Sequence, residues 1–135
     1  MKTFYLSLIT ICLFLISCNE EDGIARDSIK LSENHVEFGC EPSKKLITKN
    51  FNWAIISIKE NGVDVNFGDK VHPKDYKLDY EGGWYRIKRD NKDLIISVIE
   101  NSTNSQRQLD INLQAGNWYG SKISIEQKGG NKLLF

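Results

Sequence analysis

Two short stretches near the C-terminus alternate without a slip between apolar and polar residues. Leu109, Ile111 and Leu113 are interleaved with Gln108, Asp110 and Asn112, and Ile123 and Ile125 with Lys122, Ser124 and Glu126. A period of two belongs to an extended chain with one face in a core and the other in water. The five-residue separator Ala115-Gly116-Asn117-Trp118-Tyr119 contains a glycine, so the two stretches read as an antiparallel hairpin.

The rest of the chain after Ser28 carries the same bias. Candidate strands are Ile29–Leu31, Val36–Phe38, Lys45–Thr48, Trp53–Lys59, Lys77–Tyr80, Trp84–Lys88, Leu94–Glu100, Arg107–Gln114 and Tyr119–Gln127, all rich in β-branched or aromatic residues. Turn signals separate them, among them Glu41-Pro42-Ser43, Asn61-Gly62 and Glu81-Gly82-Gly83. No stretch sustains a 3.6-residue period over three turns. Short strands at this spacing predict an all-β sandwich or barrel. Leu94-Ile95-Ile96 is apolar on both faces and is the best candidate for a central strand. Val63 to Lys74 is the least regular part, either a long loop or a loop with a short helix near Pro73.

The N-terminus has a different character. Lys2 precedes an apolar run from Phe4 to Ile16 that ends in Leu15-Ile16-Ser17-Cys18. That string resembles the lipobox of bacterial lipoproteins. The resemblance implies a leader over residues 1–17, cut before Cys18, whose thiol then carries the lipid. The run of about 13 residues is short of the roughly 20 that span a bilayer, and no A-x-A-like site for a soluble secreted protein is present. Residues 18–27 then read as the lipidated cysteine and a flexible acidic tether, Asn19-Glu20-Glu21-Asp22-Gly23 and beyond. The acidic run is either an ordinary solvated linker or similar to the surface-export signal of Bacteroidetes lipoproteins. Asp27-Ser28-Ile29 matches a short O-glycosylation pattern of the same bacteria. Residues 28–135 form the single folded domain.

Composition narrows the function classes. Eighteen cations face eighteen anions, so no strong field favours nucleic acid. With Cys12 in the leader and Cys18 acylated, Cys40 is left alone and packing must hold the core. His35 and His72 lack ligand spacing, so no metal or cofactor is expected. There is no G-x-S-x-G, no H-E-x-x-H and no phosphate-cradling glycine loop. Carboxylates such as Asp90 with Asp93, or Asp79 with Glu81, show no spacing that singles out a glycosidase pair. His35 and Cys40 have no evident orienting partner. The chain reads as non-enzymatic.

From Asn50 to Gly129 the order of motifs resembles the BACON domain, the Bacteroidetes-associated carbohydrate-binding, often N-terminal module. Asn50-Phe51-Asn52-Trp53 looks like its first strand entry and Glu81-Gly82-Gly83-Trp84 like its second tryptophan. Ile96 to Asn101 leading to Arg107 looks like its strand, Asn, polar turn, Arg pattern. Ile123-Ser124-Ile125-Glu126-Gln127-Lys128-Gly129 looks like its closing I-x-I-x-Q-x-G. The resemblance implies an immunoglobulin-like β-sandwich of about seven strands, with binding of glycan or mucin as one role and an envelope spacer as another.

Sugar rings pack their C–H faces on exposed aromatics, with polar side chains taking the hydroxyls. Trp53 opens an isoleucine-rich strand and is expected in the core. Parity puts Trp84 with Arg86 and Lys88 on a polar face and Tyr85 inside with Ile87, while the resemblance makes Trp84 structural. Parity puts Tyr119 inside and Trp118, at a hairpin tip, outside. Trp118 and Trp84 are therefore the candidate ligand-binding residues, and Cys18 the lipidation site. Arg107 is expected as an edge cation or in a salt bridge across the sheet, and Gln127 as a partner for backbone groups at a strand end. The expected whole is a lipid-anchored outer-membrane protein facing outward. Its partners are the membrane through Cys18, glycan or mucin, or other envelope proteins.

Overall fold

The computed structural model describes residues 29–49, 53–67, 77–116 and 119–130. Among them there is no helix, and nine strands account for the fold: β1 (His35–Phe38), β2 (Ser43–Lys49), β3 (Ala54–Glu60), β4 (Val63–Asp64), β5 (Lys77–Glu81), β6 (Tyr85–Asp90), β7 (Asp93–Val98), β8 (Arg107–Ala115) and β9 (Tyr119–Gln127). They form two sheets, one ordered β1-β9-β8-β3-β4 and the other β2-β7-β6-β5. The chain is an all-β sandwich. The count exceeds the expected seven and includes β4, which is two residues long.

The alternation in β8 and β9 does what its period demands. Leu109, Ile111, Leu113, Ile123 and Ile125 are fully buried, and the two strands pair antiparallel from Arg107 opposite Gln127 to Ala115 opposite Tyr119. Ladder pairing reaches both ends of the expected separator. From the other sheet Tyr85, Ile87, Leu94, Ile96 and Val98 join the same buried cluster. Each fully buried aliphatic side chain contributes about 1.5–3 kcal/mol relative to exposure. The predicted central strand is central: β7 lies between β2 and β6.

Local chemistry explains the turns and irregularities. Asn61 and Gly62 both take positive φ, 48° and 81°, the two-residue conformation that folds β3 tightly back on β4. In β3 the register shifts between Ile55 and Ser57. Ile56 is the extra residue and faces solvent, which is how an isoleucine pair fits a strand with one buried face.

Two sequence expectations are corrected here. Ile29–Leu31 is not a strand. Lys30 has φ 51°, which breaks the extended chain. The Thr48 hydroxyl donates to the carbonyl of Ile29 at 2.7 Å, and the Ser32 amide donates to the carbonyl of Ile47. The segment is fastened to β2 by these few bonds, with Ile29 fully buried. Second, the irregular stretch from Val63 begins with β4 rather than a loop. Its remainder past Phe67, the leader with Cys18, the tether with Ser28, and Trp118 lie outside the described residues.

Candidate functional site

β3 and β6 belong to different sheets and are joined at both ends by reciprocal contacts. Trp53 immediately precedes β3, and Arg89, near the end of β6, lays its guanidinium 3.8 Å from the Trp53 ring centroid. Arg89 Nη1 donates to the Trp53 carbonyl at 2.7 Å and its Nε to the Asn91 carbonyl at 3.0 Å. Trp84 immediately precedes β6, and its Nε1 donates to Oε1 of Glu60, the last residue of β3, at 2.7 Å. The Arg107 guanidinium lies 5.6 Å from the Trp84 ring centroid. Each strand thus opens on a tryptophan and ends near a charged residue that holds the other strand's tryptophan.

Trp53 is in the core, as its isoleucine-rich strand predicts. Trp84 is a correction. It is 6 % exposed, so it does not stand out on the polar face where parity puts it. Strand parity fails for it because β6 starts at Tyr85. Its carbonyl still accepts from the Ile99 amide at 3.0 Å, but the residue lies just outside the strand, and the indole donates to Glu60. Parity succeeds for Tyr85, which is buried.

From Trp84 an aromatic row runs through buried Tyr85 to the partly buried Tyr80 and Phe67. Trp84 meets Tyr85 edge-to-face at 5.2 Å, Tyr85 meets Tyr80 at 6.2 Å, and Tyr80 meets Phe67 at 6.5 Å. Gly82 makes this possible, because a Cβ there would come within 2.4 Å of Tyr85 Cζ. The Tyr85 hydroxyl is buried without a hydrogen-bond partner. Burial, then the neighbouring Tyr80 and Glu60, push the phenol well above its ordinary value. Beside this row lies a shallow cavity of about 330 Å³ that Trp84 and Tyr85 themselves help to line, together with Glu81, Arg86, Ser97 and Ile99. Arg86 is committed to Asp79 by two hydrogen bonds of 2.5 Å, which holds the Asp79 carboxyl below the usual range.

A second group of residues closes the same end. Asn101 is fully buried. Its Nδ2 donates to the carbonyls of Ser105 and Lys128, and its Oδ1 accepts from Thr103. Gln127 Nε2 donates to the Ile99 carbonyl at 2.7 Å, so Gln127 does satisfy strand-end backbone as expected. Gly129 passes so near Asn104 that a Cβ would lie 2.6 Å from its carbonyl carbon. Arg107 is more than an edge cation, since it packs on Trp84 with Nη1 buried and unpartnered. Asn101, Arg107, Gln127 and Gly129 all build this end of the sandwich.

One cluster was missed by the sequence reading. His35, Glu37 and Glu126 each offer one donor atom, and the three atoms lie within 4.8 Å of one another. His35 and Glu37 are two apart on β1, so they share a face. Only the parallel pairing of β1 with β9, which sets Glu37 beside Glu126, brings in the third. The candidate pairing of His35 with Cys40 is not made; the Cys40 thiol lies 3.8 Å from Glu41. Asp90 and Asp93 are register partners where β6 turns into β7, which is a hairpin end.

No family model matches the chain, and no curated protein matches it. Among solved structures, the NMR structure of a protein from Bacteroides thetaiotaomicron is similar over 85 % of this chain and 98 % of that one, with a TM-score of 0.65 and 24 % identity. The two share the fold. A GH5 xyloglucanase from Bacteroides ovatus, in complex with a XXXG heptasaccharide, matches over 72 % of this chain and 17 % of its own, at 14 % identity and a TM-score of 0.45.

Proposed function

We propose that this chain is a non-enzymatic, lipid-anchored envelope module that acts as a rigid spacer or docks a protein partner at the outer membrane. The observation that carries the reading is the state of the two described tryptophans. Both are buried, and both are engaged in holding β3 to β6. Indoles this buried offer little ring area for a sugar to stack on. The outer sheet faces are lined by paired charges, Arg86 with Asp79, Lys59 with Asp64 and Lys122 with Asp110. Such faces suit weak polar docking or simple solvation better than ring stacking. Lipidation of Cys18 rests on the lipobox resemblance; two or three acyl chains would hold the domain firmly, at about 0.8 kcal/mol per buried methylene.

The glycan or mucin reading rests on Trp118. Trp118 lies outside the described residues, and the reading rests on its place in the sequence between the two alternating stretches that form β8 and β9. A glycan array on the full chain separates the two readings. Absence of glycan binding, together with a defined partner recovered by cross-linking in intact cells, supports the spacer or docking role. Glycan binding abolished by Trp118→Ala replaces it with the carbohydrate role. Mass spectrometry of the mature N-terminus should find acylated Cys18, and an unmodified terminus elsewhere would remove the anchor from either reading.

A further inference from the structure

We propose that His35, Glu37 and Glu126 form a binding site for a divalent transition metal, with zinc the best-fitting ion. The site is independent of what the module docks.

The backbone assembles it. In the parallel β1–β9 ladder Glu37 stands directly beside Glu126, and His35 beside Ser124. Two carboxylates in direct cross-strand register repel. Elsewhere on these faces acidic groups sit against cations: Lys122 lies 3.4 Å from Asp110, and Lys59 lies 3.7 Å from Asp64. Among the described residues no lysine or arginine lies within ion-pair distance of Glu37 or Glu126. Among the described residues the ion-pair partner of Glu37 is the imidazole, with His35 Nε2 at 3.4 Å from Glu37 Oε1. The surface thus holds two adjacent carboxylates and a nitrogen donor where a cation would offset the repulsion.

The spacing suits zinc. Bonds of about 2.0–2.1 Å to nitrogen and oxygen put neighbouring ligands of a tetrahedral ion roughly 3.3 Å apart. The His35–Glu37 pair is already at that separation. The Glu126 carboxylate closes the remaining gap, from at most 4.8 Å, by rotation of its side chain. One imidazole and two carboxylates favour a borderline ion over magnesium or calcium, which prefer all-oxygen shells. Three protein ligands leave the fourth position to water or to a donor group from a partner. Metal here would pin β1, an edge strand, to β9.

The test uses the full chain, purified in detergent, freed of metal with a chelator and titrated with zinc sulfate by calorimetry, with thermal unfolding measured alongside. The expected result is one saturable site per chain and a melting temperature that rises with zinc. His35→Ala and Glu126→Gln should each weaken binding by more than about tenfold and abolish the thermal shift, while His72→Ala leaves both unchanged. His35→Asn serves as a second variant should the alanine change unsettle β1. Absence of saturable binding, full affinity retained in the folded His35 variants, or loss of binding in His72→Ala would each overturn the proposal.

Discussion

Trp53 and Trp84 stand at opposite ends of β3, and an arginine lies over each ring, yet the two ends are built differently. At the Trp53 end the cation is closed in. Arg89 is 4 % exposed, 3.8 Å from the ring centroid, and its donors reach backbone carbonyls. At the Trp84 end the arginine stands off at 5.6 Å, and the indole takes a carboxylate, Glu60, as its acceptor. Three buried polar atoms there, Tyr85 Oη, Arg107 Nη1 and Gln127 Oε1, have no partner. A buried charge is tolerated when its hydrogen bonds are supplied, and an orphaned polar atom costs stability. The Trp53 clasp therefore stabilises the join between sheets, while the Trp84 end gives up part of what its aromatic row contributes.

This contrast can be broken most directly at Arg89. Arg89→Ala should cost about 3 kcal/mol in denaturant unfolding, because it removes the guanidinium's hydrogen bond to the Trp53 carbonyl and leaves a void beside the ring. Arg89→Lys should recover little of it, since an ammonium lacks the planar fork. A loss no larger than that of an exposed residue would mean the clasp does not join the sheets.

Glu60 tests the other end at smaller scale. Glu60→Ala should cost about 1.5 kcal/mol through the lost indole bond. Glu60→Gln keeps an acceptor and should cost less than half as much. Equal losses would show that the charge, not the hydrogen bond, is what matters.

Tyr85→Phe removes an unpartnered hydroxyl and should leave stability unchanged or raise it by up to about 1 kcal/mol at neutral pH. It also carries a pH signature. Burial raises the folded phenol above the ordinary 10.0, so the folded chain keeps a proton that the unfolded chain has released. The contribution is intact below the unfolded value and is lost as pH rises above about 10. The phenylalanine variant should unfold less steeply in alkali, and an unchanged alkaline slope would count against the buried hydroxyl. The smallest effect belongs to Asp79→Asn. Its pair with Arg86 is exposed, so thermal unfolding at neutral pH should not shift measurably.

Most of the strands were legible in the sequence, and the reason is local. Leu109, Ile111 and Leu113 declare their face through a period set by the backbone of one strand, and Asn61-Gly62 declares its turn through φ values that few other residues accept. Ile29–Leu31 misled because a β-favouring composition says nothing about a partner; the Thr48 hydroxyl, not a ladder, holds that segment. Trp84 misled because parity holds only inside a strand, and it sits one residue outside. The His35, Glu37 and Glu126 cluster could be read only in part, since β1 and β9 are brought side by side by a connection that crosses the whole domain.

The amino-acid order alone therefore determined the extended chain, its buried faces and most of its turns, because each depends on neighbours a few positions away. Which tryptophan meets which arginine, and which imidazole meets which carboxylates, was decided only when two sheets stacked and β1 paired with β9. Those contacts join residues distant in the chain, and no periodicity encodes a distance across a core.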